Sequence, residues 1–340
     1  MPAPNTGNRV LLAVLLGLAL LYPWIAPNDY YVYVMSLAYI MAIAAVGLNL
    51  ILGYTGQFNL AHAGFMAIGA YTVGILTVDY GVPYWSAFAL AGLVAAGLGF
   101  LAGMVSLRLK THYFAIFTLC VGFIIYLIIE KADALTHGTV GLMDIPAPTG
   151  FGPISFTSTT AQYYLVLMFL VVSLWVMSRI VQSLLGRAFV AVRQREQLAE
   201  ALGINLMRTK VLAFVLSTFY AGLAGALYAG FVRFLGPDLA REHHAFDMMA
   251  FILVGGIGTL FGPVLGAILL TWLTQSLQFL QDYRMIVFGP LLILLVMFFP
   301  RGIIGFYNER KARRAAAVAA AQTPMRSRTA PSLDEVRGNA

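Results

Sequence analysis

Apolar residues along this chain gather into runs of roughly 20 positions, separated by short clusters of glycine, proline, asparagine and charge. A helix needs about 20 such residues to cross the hydrocarbon of a bilayer. The pattern predicts helices at about 10–27, 31–52, 58–78, 84–106, 112–130, 161–182, 209–231, 244–260, 262–281 and 284–300. Helices follow because backbone groups in lipid must be satisfied within their own segment. The short alternating runs of a membrane barrel are absent. The fold class is therefore an all-α integral membrane protein with about ten transmembrane helices, some broken at Gly-rich turns. The first run, led by Arg9, resembles an export signal. It extends too far, and Pro27 after Ala26 is a poor cleavage context, so it reads as a retained helix.

Composition agrees with that pattern. Hydrophobic residues fill 60% and charged residues 10% of 340 positions, and a mean hydropathy of +0.84 removes the soluble globular classes. The lone cysteine, Cys120, removes disulfides and multi-cysteine metal sites.

Charge sets the expected orientation. With ten spans, Arg9, Arg108, Lys110, Arg187, Arg193, Arg195, Arg208, Lys210 and Arg301 fall on one side, which the positive-inside rule assigns to the cytoplasm. Lys131, Arg233, Arg241 and Arg284 fall on the other, close to the acids Glu130, Asp133, Asp238, Glu242 and Asp282. Both termini are then cytoplasmic. Residues 1–305 form the transmembrane domain. Residues 306–340, which include Arg310, Lys311, Arg313 and Arg314, read as a basic, disordered cytoplasmic tail, a solvated positive-inside anchor, with contact to lipid headgroups or a partner as the alternative.

Two glycine-rich interruptions draw the search for a pathway. Between residues 47 and 71, Gly53, Gly56 and Gly64 break a span beside Asn49, Tyr54, Thr55, Gln57, Asn59 and His62. Between residues 254 and 267, Gly255, Gly258 and Gly266 repeat the same spacing. Broken helices in corresponding places of two halves point to a translocation site. Their ends offer backbone N–H groups to a carboxylate and carbonyls to an ammonium. The expected substrate pathway is thus Gly53, Tyr54, Thr55, Gly56, Asn59, His62, Gly255 and Gly258. The same glycines suit close helix packing, as do the pairs Gly99–Gly103 and Gly262–Gly266, and His62 equally suits a helix–helix hydrogen bond.

Catalytic chemistry finds little footing. His243, His244 and Asp247 are the one cluster of metal-ligating residue types, and they precede a span where Glu242 and Asp247 suit helix capping. Neither H-E-x-x-H nor G-x-S-x-G occurs. None of the four lysines follows a glycine, so no G-x-x-x-x-G-K-[ST] phosphate loop exists. The chain is expected to be no enzyme, to hold no cofactor or metal, and to bind no nucleic acid. Span centres also lack carboxylates to bind a driving ion, so the motor is expected outside the chain.

The charged stretch from Gly186 to Lys210 is where such a motor would act. Residues 187–201 hold no proline or glycine, Gly203 is a natural stop, and Asn205 lies just beyond. They predict one short cytoplasmic helix with Phe189, Val192, Ala199 and Leu202 on its apolar side and Arg193, Arg195, Glu196 and Glu200 as charges. Such a helix suits a membrane surface or a groove in a partner.

Several stretches carry a family resemblance: GLNLILGYTGQFNLAHAGFMAIGAY at 47–71, LRLKTHYFAIFTLCVGFIIYLI at 107–128, GRAFVAVRQREQLAEALGINLMRTKVLAFVLSTFYAGLAGALYA at 186–229, VGGIGTLFGPVLGA at 254–267 and PRGIIG at 300–305. From about residue 30 to residue 305 the chain resembles the longer permease subunit of bacterial ABC importers for branched-chain amino acids. The resemblance implies a permease domain at 1–305 with a coupling helix at about 187–203. It implies an inner-membrane complex with a second permease, two cytoplasmic ATPases that bind ATP and magnesium, and a periplasmic binding protein. It implies that Glu200, Ala201 and Gly203 stand in the loop that seats on an ATPase, with Arg187, Arg193 and Glu196 in the same coupling element. In the loop after the fifth run the chain reads Thr136-His137-Gly138-Thr139-Val140-Gly141-Leu142, where relatives commonly carry Gly-Gly-x-x-Gly-Leu. Urea and short-amide permeases share the architecture and are the nearest substrate alternative. A stand-alone secondary transporter or channel is the competing class.

Overall fold

The computed structural model describes residues 6–107, 109, 111–150, 156–276, 297 and 302–305. Its elements are α1 (Thr6–Ile25), α2 (Asp29–Asn49) running into a π-helical turn (Leu50–Tyr54), α3 (His62–Val78), α4 (Tyr84–Ser106), α5 (Thr111–Lys131) and the short α6 (Asp133–Thr136). They continue with α7 (Thr159–Gln182), α8 (Leu184–Gln194), α9 (Glu196–Ala201), α10 (Leu206–Val232), a 3₁₀ turn (Pro237–Ala240), α11 (Glu242–Gly255) and α12 (Gly262–Ser276). Among the described residues the only β-pairing is one bridge between Leu142 and Leu235.

Among the described residues, five helices are long and apolar enough to cross a membrane: Asp29–Tyr54, Tyr84–Ser106, Tyr113–Lys131, Thr159–Gln182 and Leu206–Val232. Shorter apolar helices cover Ala13–Ile25, His62–Val78 and Gly262–Gln275. Apart from Met297, the run expected at 284–300 and the tail at 306–340 lie outside the described residues. The 244–260 run is a 14-residue helix, about 21 Å at 1.5 Å per residue, shorter than the hydrocarbon core. It folds back on α12, with Gly255 against Gly262 and Gly266 against Phe251, so the two are separate helices of one hairpin.

Polar residues at the run boundaries start the helices. Asn28 caps α2 through Tyr31 N, Ser158 caps α7 through Ala161 N, and Asn205 caps α10 through Arg208 N. Asn205 therefore begins the next helix rather than trailing the last one, and α10 starts three residues ahead of the expected 209. Glu242 stands in the first turn of α11, where its charge favours the positive end of the helix, but no side chain caps the start: the N-cap is Arg241, with no side-chain bond, and Asp247 lies beyond the first turn.

The centre of the bundle is α10, packed on α2, α3 and α4. Small residues let these backbones touch: Gly69 lies against the Gly222 carbonyl, Gly225 against the Met66 carbonyl, and Gly99 against Thr218. Matching pairs give the directions. α3, α5, α10 and α12 run one way and α2, α4, α7 and α11 the other, as in the contacts Gly64–Ile125, Tyr84–Gly230 and Tyr31–Trp272. α2 is buried along most of its length, whereas α4, α5 and α7 expose Leu93, Ile116 and Trp175. Such apolar outer faces fit lipid rather than water.

Candidate functional site

One end of the bundle collects the residues on which the resemblance rests. Near Leu50 the α2 ladder widens into the π turn, a feature that recurs at functional sites. The chain then leaves the helix: Thr55 Oγ1 donates to Ile51 O at 2.5 Å, Gln57 N donates to the same carbonyl at 3.0 Å, and Gly56 takes a φ of +75°. Residues 55–61 are irregular, so α3 begins at His62 and not at 58. This segment rests on α5, where Thr118 Oγ1 accepts from Leu60 N at 3.2 Å and Gly122 meets Ala61.

The second glycine break faces the first. Asn49 uses both ends of its amide on the turn after α11: Nδ2 donates to Thr259 O at 2.8 Å, and Oδ1 accepts from Gly258 N at 3.0 Å. Thr259 Oγ1 in turn accepts from Gly262 N at 3.1 Å and so starts α12. Gly302, from the closing PRGIIG stretch, packs on Gly256.

The charged island lies across this junction. It is two helices and not the single one expected over 187–201: α8 starts at Leu184, and the backbone turns extended at Arg195 (φ −156°, ψ 108°) before α9. The turn lets Glu196 swing to Lys210, whose Nζ donates to Glu196 Oε1 at 2.7 Å, while Ala199 stays buried. Phe189 and Val192 are buried beneath α8. Arg193 Nη1 donates to Gly53 O, its stem crosses Gly56, and its head lies beside Gly258.

The tip of α9 is closed by a Schellman turn. Gly203 N donates to Glu200 O at 2.9 Å, Ile204 N donates to Ala199 O at 3.0 Å, and Gly203 has a φ of +84°. Arg187, Glu200, Ala201 and Gly203 are exposed. Beside them Leu198 and Leu202 are 57% and 73% exposed, an apolar tip with no covering neighbour among the described residues.

Gly53, Gly56, Gly255 and Gly258 thus share one end of the molecule with Arg193 and Glu196. Tyr54 and Thr55 are buried in the same junction. Asn59 is fully buried with Oδ1 accepting from Ala61 N at 3.0 Å; its Nδ2 and the Gln57 Oε1 find no hydrogen-bond partner among the described residues. His62 stands apart as a helix tie, with Nε2 2.9 Å from Ala44 O and Nδ1 3.5 Å from Ser217 Oγ. Sequence reasoning missed the roles of Asn49, Thr259 and Lys210. Each pairs with a residue 14 or more positions away, beyond any local spacing rule.

The opposite end carries mixed charge. Tyr126 OH donates to Glu130 Oε1 at 2.7 Å and accepts from Arg241 Nη2 at 3.0 Å, and Asp238 holds the same guanidinium at 2.9 Å. The His243 and His244 rings lie 4.3 Å apart, tilted by 39°. Among the described residues no group of three or more His, Cys, Asp or Glu is placed to hold a metal ion.

Comparison with known proteins gives a consistent assignment. Residues 30–296 match the family described as branched-chain amino acid transport system / permease component. The chain is 33% identical to the high-affinity branched-chain amino acid transport system permease protein LivM of Escherichia coli K12 over 87% of this chain and 75% of that one. It is 26% identical to LivH, the permease of the same name class from the same organism, over 78% and 91%. It is 29% identical to the autoinducer 2 import system permease protein LsrC of Enterobacter sp. 638 over 78% of each. No solved structure matches it significantly. The chain belongs to the family of branched-chain amino acid transport system permease components.

Proposed function

We propose that this chain is one of two permeases in an ATP-driven, binding-protein-dependent importer of branched-chain or other hydrophobic amino acids. It spans the bacterial inner membrane about ten times with both termini in the cytoplasm, and forms half of the translocation pathway. A second permease supplies the other half, two cytoplasmic ATPases bind ATP and magnesium, and a periplasmic binding protein delivers the solute. The observation that carries this reading is the exposed Leu198–Gly203 tip, a surface ready for a partner at the end of an element anchored inward by Glu196 and Arg193. In this reading α8 and α9 seat on an ATPase through Glu200, Ala201 and Gly203, together with the exposed Arg187 of α8.

The pathway is proposed to open at the junction of the two breaks, with Gly53, Tyr54, Thr55, Gly56, Asn59, Gly255 and Gly258 at its cytoplasmic mouth and His62 behind them. The buried Asn59 Nδ2, without a hydrogen-bond partner among the described residues, supports a polar lining there. Nucleotide-driven closure of the ATPases rocks the bundle and exposes the path to each side in turn.

The test is reconstitution in proteoliposomes with the partner permease, the ATPases and the binding protein. ATP-dependent uptake of labelled leucine, isoleucine or valine is expected. Urea and acetamide, the nearest substrate alternative, belong in the same assay. Gradient-driven flux through this chain alone would overturn the reading in favour of a stand-alone transporter.

A further inference from the structure

Arg193 occupies a slot whose walls come from two distant parts of the chain. One wall is the first break: a Cβ on Gly56 would sit 3.0 Å from Arg193 Cγ, and the Gly53 carbonyl accepts from Nη1. The other is the second break, where a Cβ on Gly258 would lie 2.8 Å from Nη1. Glycine at these places leaves room for one long side chain. The Gly53 carbonyl is among the last of the α2 axis, where carbonyls lack a helical partner and the helix presents its negative end. A guanidinium, planar and always charged, satisfies that carbonyl while lying flat against the neighbouring turn.

The anchors of the charged island divide at Arg195. On its α9 side, Glu196 is tied to Lys210 of α10. On its α8 side, Arg193 is tied to the π turn, which Asn49 joins to Gly258 and Thr259. The extended residue between them acts as a joint. A push on the exposed tip therefore has two inward routes, one to α10 and one to both breaks.

We propose that Arg193 is a positioning residue, the strut through which displacement of α8 and α9 moves the two glycine breaks together. The proposal rests on the reading of the α9 tip as the ATPase seat. It adds that the breaks respond to nucleotide through this one side chain, and that Gly56 and Gly258 leave room for the strut, while Gly53, whose Cβ would meet Asn49 and the Gly258 backbone, supplies the carbonyl it holds.

The experiment uses the assembled complex in proteoliposomes, comparing wild type with Arg193→Ala and Arg193→Lys. Solute imported per ATP hydrolysed is measured alongside amide exchange with and without trapped nucleotide. Arg193→Ala is expected to keep the nucleotide response of residues 187–203, lose that of 53–59 and 255–259, and import about tenfold less solute per ATP, a coupling loss within the usual range. Arg193→Lys is expected to fall between, since an ammonium still reaches one carbonyl but does not lie flat beside Gly258. A nucleotide response at 53–59 that survives Arg193→Ala overturns the strut. A double-mutant cycle covers the case in which Arg193→Ala assembles poorly. Gly56→Ala strains its positive φ in either background, but clashes with the stem only when Arg193 is present, so its cost should shrink beside Arg193→Ala. An equal cost in both backgrounds also overturns the strut. A wild-type complex without ATP-driven import overturns the functional reading, and the strut with it.

Discussion

Lys210 is buried near the start of α10, and its ammonium lies 2.7 Å from the half-exposed carboxylate of Glu196 across the turn between α9 and α10. A buried lysine is costly unless paired, so this contact decides where α9 sits. Glu196→Gln removes the charge and leaves Lys210 in an apolar setting. It is expected to lower stability by about 1–2 kcal/mol, less than for a fully buried pair because water reaches Glu196. Thermal unfolding of the purified protein in detergent checks this. Lys210→Met in the Glu196→Gln background should recover most of the loss, because the buried charge is then gone.

Asn49 joins the two glycine breaks with both ends of one amide. Asn49→Asp keeps the acceptor for Gly258 N and loses the donor for Thr259 O, placing a negative charge against that carbonyl. Asn49→Ala loses both bonds and leaves both backbone groups unsatisfied. Each is expected to cost about 1–3 kcal/mol. Faster amide exchange over 255–262 reads the loosening of the α11–α12 turn. Unchanged exchange there would mean that the hairpin is held by packing of Gly255 on Gly262 alone.

The helical, membrane-spanning class was legible because the apolar runs are long and the backbone has one way to satisfy itself in lipid. The apolar runs placed the starts of α2 and α7 at 31 and 161; the Asn28 and Ser158 caps set them two residues earlier, at Asp29 and Thr159. The π turn was not legible. It arises where tertiary bonds from Asn49 and Arg193 compete with the helical ladder, and no periodicity encodes them. The split of the charged island at Arg195 escaped for a related reason. Residues 187–201 have helix-forming side chains throughout, and the break is imposed by Lys210 drawing Glu196 across. In the site, Gly53, Gly56, Gly258 and Arg193 were all singled out by residue type. Their contact with one another needed the fold, since Arg193 and Gly53 are 140 positions apart.

The crossing of α3 over α10 offers a separate test of packing. Gly69 faces the Gly222 backbone, and Gly222 also lies 2.6 Å, by its missing Cβ, from Ala95 Cβ on α4. Gly69→Val must push α3 off the α10 backbone, which cannot yield as a side chain can. Overpacking of this kind costs about 1–3 kcal/mol or more. Lower yield and a broadened size-exclusion peak are expected for Gly69→Val. Gly97→Ala on α4, which meets nothing within 4 Å, should behave as wild type.

Gly203 separates backbone geometry from surface contact at the α9 tip. Its φ of +84° lets the Schellman turn close, yet a Cβ there would meet nothing within 4 Å. Within the isolated chain, Gly203→Ala therefore acts only through backbone strain of about 1 kcal/mol, and Gly203→Asn through less, because asparagine tolerates the left-handed region. Amide exchange at Leu202 and Ile204 measures that loosening in the isolated protein. In the assembled complex the two substitutions part from this order if the tip seats in a partner groove. Asparagine is larger, so it should then lower substrate-stimulated ATP hydrolysis more than alanine despite straining the turn less. Hydrolysis that follows the exchange order, with alanine the worse of the two, would show that the turn matters only for its own shape and that Gly203 touches no ATPase.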